Sequence, residues 1–200
     1  TFQSKRFDQI ICNVFMDILS LYISPRNLQN DWIGSRKYTN VIFDKSCSDG
    51  NFMEFLNILA SIGEDIKILF LQNLTFNPST LKVILSMCKN LKVLHLPKIS
   101  STSDAFKRNL PSLDLKELEC YNECGRTLQL LLSSSTRSFS FFDIHSENRE
   151  LMQNFLKAQT SLEVLYLSGH DGLELFNTQT LNNVDFHLKT LKLRGIKIPN

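Results

Sequence analysis

The amino-acid sequence predicts an α/β solenoid, a horseshoe with a parallel sheet on its concave side and helices on its convex side. Two observations predict this fold class: a short apolar motif recurs along the chain at a nearly constant period, and the intervals between its copies carry helical periodicity. The chain has 200 residues, of which 42% are hydrophobic, so it is long and apolar enough to bury a core.

The recurring motif has the form L-x-x-L-x-L. Copies begin at Tyr38, Ile66, Leu91, Leu115, Thr136, Leu162 and Leu188. The copies at Leu91, Leu162 and Leu188 match the form fully, and those at Tyr38 and Thr136 are degenerate. The starts lie 28, 25, 24, 21, 26 and 26 residues apart, which is the spacing of leucine-rich repeats. The alternative α/β fold is a doubly wound sheet. It is disfavoured because the sequence has no glycine-rich loop between a strand and a helix.

Each copy of the motif is expected to form a strand in which alternate side chains face opposite ways. Positions four and six then point into the core, while positions three, five and seven form the other, concave face. Position five reads Ile42, Phe70, His95, Glu119, Ser140, Tyr166 and Lys192. Position seven reads Asp44, Gln72, Pro97, Tyr121, Phe142, Ser168 and Arg194.

This concave face is the candidate site, and we expect it to bind a protein. Large rigid rings bury much area at small entropic cost, so its aromatic residues are candidate anchors. They are Phe70, Tyr121, Phe142 and Tyr166. The charged candidates are His95, Glu117, Glu119, Lys192 and Arg194, and their acidic and basic pairs predict a polarised partner. The alternative is that outward aromatic residues suit strands and pack only on each other.

Between the strands, apolar residues recur at helical spacing and predict helices on the convex side. The four stripes are Phe52, Phe55, Leu56 and Leu59; Leu81, Ile84, Leu85 and Cys88; Leu128, Leu131 and Leu132; and Met152, Phe155 and Leu156. Asn77 followed by Pro78 is typical of a helix start. The intervals after Leu96 and Leu167 are less regular, and we expect short or irregular helices there.

Residues 1–37 lack the motif and are expected to form a separate helical segment followed by a spacer. Apolar residues from Phe7 to Tyr22 recur at helical spacing and predict one amphipathic helix. On periodicity alone this helix caps the open end of the array, which any solenoid needs. Residues 38–200 then form about seven repeats. Because the sequence begins at Thr1 and its last repeat stops at Asn200, we expect a fragment truncated at the C-terminus.

The stretch Ile11-Cys12-Asn13-Val14-Phe15-Met16-Asp17-Ile18 resembles the Val-Cys-x-x-Phe/Trp-x-x-Ile/Leu signature late in an F-box. The signature positions are Ile11, Cys12, Phe15 and Ile18. A spacer followed by repeats near 26 residues long is similar to the layout of F-box proteins with leucine-rich repeats. The resemblance implies a substrate receptor of a Skp-cullin-F-box ubiquitin ligase, in which the F-box holds the adaptor and the repeats hold the protein substrate. The first half of an F-box is not in this sequence. We therefore expect the complete parent chain, rather than this sequence alone, to bind the adaptor fully.

The motifs that the sequence lacks, its net charge and its cysteine count argue against several other functions. The sequence has no G-x-S-x-G motif, no phosphate-binding glycine loop and no H-E-x-x-H motif, so we expect neither an enzyme nor a cofactor. A net charge of +2 gives no electrostatic reason to bind nucleic acid, and no apolar stretch has the length of a membrane helix. The five cysteines leave one over after pairing, which favours a reducing compartment, the cytoplasm or nucleus.

Metal binding is not expected either. Cys120 and Cys124 with His95 are candidate ligands, but zinc sites usually show two tight ligand pairs, so we expect structural cysteines. The other histidines are expected to be solvated loop residues without a carboxylate partner: His145, His170 and His187.

Two other classes of protein fit the repeats. The first is the repeat domain of another intracellular regulator, such as a GTPase-activating or nucleotide-oligomerisation protein, in which the N-terminal helix is only a cap. The second is an extracellular ligand-binding repeat protein, which the odd cysteine count disfavours.

Overall fold

A computed structural model of the chain describes residues 20–23, 37–44, 52–72, 78–96, 112–121, 128–129, 131–174 and 187–197. Within these ranges, eight strands form one sheet in which each strand is hydrogen-bonded to the next in sequence. They are β1 (Ser20–Ile23), β2 (Asn40–Asp44), β3 (Ile68–Gln72), β4 (Val93–Leu96), β5 (Asp114–Tyr121), β6 (Ser135–Ile144), β7 (Val164–Glu174) and β8 (Thr190–Lys197). All seven pairings are parallel. The predicted α/β class with a parallel sheet is confirmed.

Three α-helices lie between the strands of the described part: α1 (Phe52–Ile62), α2 (Pro78–Met87) and α3 (Arg149–Ala158). Short 3-10 helices cover Gly63–Asp65 and Ser146–Asn148. The three α-helices coincide with predicted stripes, and Pro78 begins α2 as expected. The third stripe differs, because among its described residues 128–129 are helical and 131–133 form a turn. None of the described helices combines the length and apolar character needed to cross a membrane.

The helices pack on one face of the sheet, because their apolar stripes and the strand residues at positions four and six belong to one buried cluster. In β6, for example, Phe139 and Phe141 are fully buried, and the ring of Phe155 from α3 lies 4.7 Å from that of Phe139. Cys88, just after α2, is buried here too, and burial raises the pKa of its thiol to about 12. This face, called the inward face below, is the hydrophobic core.

The chain enters successive strands through the same backbone hydrogen bonds. The carbonyl oxygen of Thr39 accepts from the amides of Lys67 and Ile68, at 2.8 and 2.9 Å. Lys67 in turn accepts from Lys92 and Val93, at 2.8 and 2.9 Å. The carbonyl oxygens of Lys92 and Glu163 likewise each accept from two backbone amides, an arrangement called double acceptance below. At these four strand entries, one carbonyl therefore satisfies two amides of the following strand, which helps to fix the register there.

Around the degenerate copy at Thr136, a buried glutamine supplies the hydrogen bonds that hold the strand. Gln159 follows α3, and its Oε1 accepts from the backbone amide of Thr136 at 3.0 Å. Its Nε2 donates to the carbonyl of Ser134 at 3.0 Å, and the Ser134 hydroxyl accepts from the amide of Leu113 at 3.1 Å. Buried backbone groups need such partners, so Gln159 ties α3 to β6 where the apolar motif is weakest.

The segment before the repeats departs from the prediction at its described end. The helical stripe was expected to continue to Tyr22, but Ser20–Ile23 form β1, which pairs with β2 through Leu21 beside Val41. Leu21 is buried and the next residue, Tyr22, is 47% exposed, which is the alternation of buried and exposed side chains expected of a strand. The predicted helical continuation is wrong at these residues. The rest of the predicted helix, including Ile11, Cys12, Phe15 and Ile18, lies outside the described residues.

The inward-facing side chains are less buried at β8 than at the preceding strands. Leu165 in β7 and Leu191 in β8 occupy the same position four of their repeats, but Leu165 is 1% exposed and Leu191 is 52% exposed. Leu193, at position six, is only partly buried. The pairing of β7 with β8 is also irregular between Ser168 and Leu173. The inward face is therefore closed over β2 to β7 and open at β8.

Candidate protein-binding face

The opposite face of the sheet, called the outward face below, carries the predicted site residues in adjacent rows. Each residue at position five lies beside the position-five residue of the next strand. The row reads Ile42, Phe70, His95, Glu119, Ser140, Tyr166 and Lys192. In the position-seven row, Tyr121 lies beside Phe142 and Ser168 beside Arg194. The position-five row follows the observed pairing throughout. The position-seven row follows it in part, because the register of β6 with β7 shifts after Phe141, so that Phe142 is not paired with Ser168, and because the structure of Pro97 is not described.

Four of the predicted residues form one group at the centre of this face. The ring of Phe70 stacks on the imidazole of His95, with centroids 4.2 Å apart and planes inclined by 29°. Nδ1 of His95 lies 3.3 Å from Oε2 of Glu119, and Nε2 lies 3.8 Å from Oε1 of Glu117. All four side chains are half-buried. The imidazole is therefore held between an aromatic ring and two carboxylates, one at each ring nitrogen.

The contacts of this group shift the proton affinities of its members. The hydrogen bond from His95 is the largest cause that lowers the pKa of Glu119; partial burial opposes it, and the charge of His95 and a hydrogen bond from Tyr121 add to it. The Tyr121 hydroxyl lies 3.4 Å from Oε1 of Glu119. The pKa of Tyr121 is raised by partial burial first, then by the charge of Glu119 and the hydrogen bond to it. At neutral pH the centre of the face therefore carries a fixed carboxylate.

Aromatic contacts continue from this group towards β7. The rings of Tyr121 and Phe142 have centroids 5.3 Å apart in a tilted arrangement, and those of Phe142 and Tyr166 meet edge to face at 5.1 Å. All three side chains are half-buried. The alternative interpretation of these residues was that outward aromatic side chains pack only on each other. It holds in part, because the three rings do contact one another. The same packing also holds each ring in place while part of its surface stays open to solvent.

The basic pair lies at the far end of the outward face. Lys192 and Arg194 are both exposed on β8, and Lys192 lies beside Tyr166. Three strand spacings, about 14 Å, separate β8 from the acidic pair on β5. The outward face thus carries two carboxylates on β5 beside His95 of β4, aromatic rings over β5 to β7, and two basic residues on β8.

Cys120 and His95 do not share a metal site. Cys120 is fully buried on the inward face and His95 points to the outward face, so the sheet separates them. The full burial of Cys120 agrees with the expectation of a structural cysteine. Cys124 lies outside the described residues. His187 is exposed, as expected.

The expectation for His145 and His170 is wrong. Nε2 of His145 lies 3.1 Å from Nε2 of His170, and Oδ1 of Asp143 lies 3.7 Å from the first and 3.5 Å from the second. His170 belongs to β7 and Asp143 to β6, so these are not separate solvated loop residues. The two histidines lie 25 residues apart in the sequence, at 145 and 170, but the repeat spacing does not reveal the group, because the register of β6 with β7 shifts between Phe141 and Ile144.

No protein-family profile, curated protein or solved structure matches the chain. The function therefore has to be argued from the residues and their geometry.

Proposed function

We propose that the chain is a leucine-rich-repeat solenoid without catalytic activity, and that its concave, outward face binds a protein partner. The repeated motif, the sequential strand order and the recurring double acceptance at strand entry support the solenoid. The observation that carries the binding function is the continuous set of half-buried rings and charges from Phe70 to Tyr166.

This set has the properties of an interface centre. The rings are already held by their neighbours, so a partner that covers them loses little additional side-chain freedom. The carboxylate of Glu119 and the rings of Tyr121 and Phe142 offer apolar area beside a fixed negative charge. Lys192 and Arg194 offer positive charge at β8. The partner we propose is a polarised protein segment, basic over the carboxylates of β5, apolar over the rings of Phe142 and Tyr166, and acidic over β8.

The test is affinity capture with paired variants. The double variant Phe142→Ala with Tyr166→Ala removes the middle of the outward face. The control is Met53→Ala on α1, because Met53 is 66% exposed and lies on a helix packed against the other face. A partner identified by mass spectrometry with wild type and control is then titrated as a purified protein. We expect the dissociation constant of the double variant to be at least about 30-fold higher than that of wild type. Equal affinity for all three chains contradicts the proposal.

We further propose that this array is the substrate-recognition part of a ubiquitin-ligase receptor that works in the cytoplasm or nucleus. The support is the resemblance of the stretch from Ile11 to Ile18 to the end of an F-box. Ser20 begins β1 only two residues after Ile18, so this stretch connects directly to the first strand of the array. The fixed position of that strand relative to β2 would give an adaptor bound to the stretch a defined place relative to the outward face.

The parent chain with its own N-terminus tests this second proposal. We expect it to capture the ligase adaptor, and the double variant Cys12→Asp with Phe15→Asp to abolish capture without unfolding the repeats. A folded parent chain that fails to bind the adaptor removes the ligase proposal and leaves the protein-binding proposal intact. Lys192→Glu provides the matched control, because it lies at the opposite edge of the sheet and should not affect adaptor capture.

A further inference from the structure

Three potential metal-binding atoms converge where β6 and β7 lie side by side. Nε2 of His145 and Nε2 of His170 are 3.1 Å apart, and Oδ1 of Asp143 is 3.7 and 3.5 Å from them. The two imidazole planes are nearly perpendicular, at 82°, which lets one nitrogen of each ring approach the same point. All three side chains are partly or largely exposed, so an ion can reach them from solvent.

The triangle has the dimensions of a zinc site. The point equidistant from three atoms separated by 3.1, 3.5 and 3.7 Å lies about 2.0 Å from each, and zinc binds histidine nitrogen and carboxylate oxygen at about 2.0–2.2 Å. An ion at this point needs no movement of the backbone. Two imidazoles and one carboxylate are also a ligand set that suits zinc, and three protein ligands leave at least one coordination position open.

Local irregularity in the backbone builds the triangle. The pairing of β6 with β7 loses its regular register between Phe141 and Ile144, and Asp143 lies in that interval with a φ of 57°. This left-handed conformation is uncommon outside glycine and is tolerated best by asparagine and aspartate. A β-bulge redirects a side chain that a regular strand would place elsewhere. Here the irregular segment carries the carboxylate that lies close to both histidines.

A glycine on β8 lets that strand approach the backbone beside His170. Gly195 has a φ of 67°, and a Cβ atom there would lie 2.3 Å from the carbonyl oxygen of Gly169. Only glycine accepts both the conformation and the close approach. β8 therefore supports the part of β7 that presents His170.

The other acid-histidine group of the described residues does not have this geometry. His95 contacts Glu119 through Nδ1 and Glu117 through Nε2, at 3.3 and 3.8 Å. These nitrogens lie on opposite sides of the ring, and a metal ion takes one of them. The arrangement places one carboxylate at each ring nitrogen instead of directing all three side chains at one point.

We propose that Asp143, His145 and His170 bind one divalent zinc ion that links β6 to β7 and keeps a coordination position open towards solvent. This inference does not depend on the proposed partner or ligase role, since the same three residues are needed whatever the outward face binds. The open position accepts water or a ligand atom from another molecule.

Titration calorimetry with zinc chloride tests the proposal on the 200-residue chain without a histidine tag, after treatment with chelator. We expect one zinc per chain for wild type, and an affinity at least about 50-fold lower for both His145→Ala and His170→Ala. Asp143→Asn should weaken binding less, because the amide oxygen keeps the position but loses the charge. His187→Ala and His95→Ala are the controls, and both should bind zinc as wild type does.

Cobalt gives a second measurement on the same samples. Bound Co²⁺ in a four-coordinate site has strong visible absorption, which we expect from wild type and His187→Ala and not from His170→Ala. Circular dichroism of each variant shows whether it is folded. The proposal is overturned if wild type binds no zinc, or if folded His170→Ala and His145→Ala bind it with unchanged affinity. A hydrogen bond between the two imidazole rings would then explain the 3.1 Å contact.

Discussion

Two faces of β6 use the same residue type for different purposes. Phe139 and Phe141 point inward and are fully buried, while Phe142, the next residue, points outward and is half-buried between Tyr121 and Tyr166. The pleat of the strand alone decides this difference. A count of phenylalanines therefore says little about function in this chain, whereas the position within the repeat says which ring supports the fold and which is available to a partner.

The largest effect that tests this comparison is expected on the inward face. Phe139→Ala removes a fully buried ring that lies 4.7 Å from Phe155 of α3. We expect it to lower the free energy of unfolding by about 3–5 kcal/mol, because the transfer free energy is lost and a cavity remains. Equilibrium unfolding in urea measures the change. A loss below about 1 kcal/mol would mean that Phe139 is not part of a tight core.

A matched pair of leucines tests where the inward face ends. Leu165→Ala in β7 should cost about 2–5 kcal/mol, because its side chain is 1% exposed. Leu191→Ala in β8 removes the same atoms from the same repeat position but should cost less than about 1 kcal/mol, because that side chain is 52% exposed. Urea unfolding of both variants gives the two values. Equal losses would show that β8 is covered in solution, for example by a second copy of the chain.

The regular repeats show how much of this fold the sequence predicts. Apolar residues at positions four and six specify the inward side of the strands, so the outward row follows by alternation, including the contact of Phe70 with His95. The register could be predicted because a slip by one residue would bury the charges of Glu117 and Glu119. The class of fold and most of the candidate face are therefore determined by local periodicity.

Two features could not be predicted, for physical reasons that differ. β1 has only four residues, from Ser20 to Ile23, and a sequence that short carries no period of its own, so the preceding helical stripe dominated the prediction. The group of Asp143, His145 and His170 depends on the break in register after Phe141. Once the register is irregular, the spacing along the sequence no longer tells which residues are neighbours.

On the outward face, the change equivalent to Phe139→Ala should affect stability much less. Phe142→Ala removes a half-buried ring with neighbours at 5.3 and 5.1 Å, and we expect a loss of about 1 kcal/mol in the free energy of unfolding. Urea unfolding beside Phe139→Ala measures the ratio of the two losses. If Phe142→Ala costs as much as Phe139→Ala, the outward rings are a second core and the comparison between the faces fails.

The smallest expected effect concerns the charge at the centre of the outward face, and it depends on pH. Because the pKa of Glu119 is lowered in the folded chain, chiefly by the hydrogen bond from His95, its carboxylate adds stability at neutral pH. That contribution is full above the ordinary pKa of the side chain, 4.5, and is lost as the pH falls below it through the lowered folded value. Glu119→Gln should therefore be less stable than wild type by about 0.5–1 kcal/mol at pH 7, and the difference should vanish in acid.

Urea unfolding of wild type and Glu119→Gln between pH 3 and pH 7 measures that difference. Glu117→Gln is the matched control, because its carboxylate is 3.8 Å from His95 rather than 3.3 Å and is more exposed. It should change stability less than Glu119→Gln does at pH 7. A difference for Glu119→Gln that stays constant from neutral pH to acid would mean that the lost carboxylate acts through shape rather than charge. The outward face would then owe its order to the packing of its rings, and the contact between His95 and Glu119 would add no electrostatic stability.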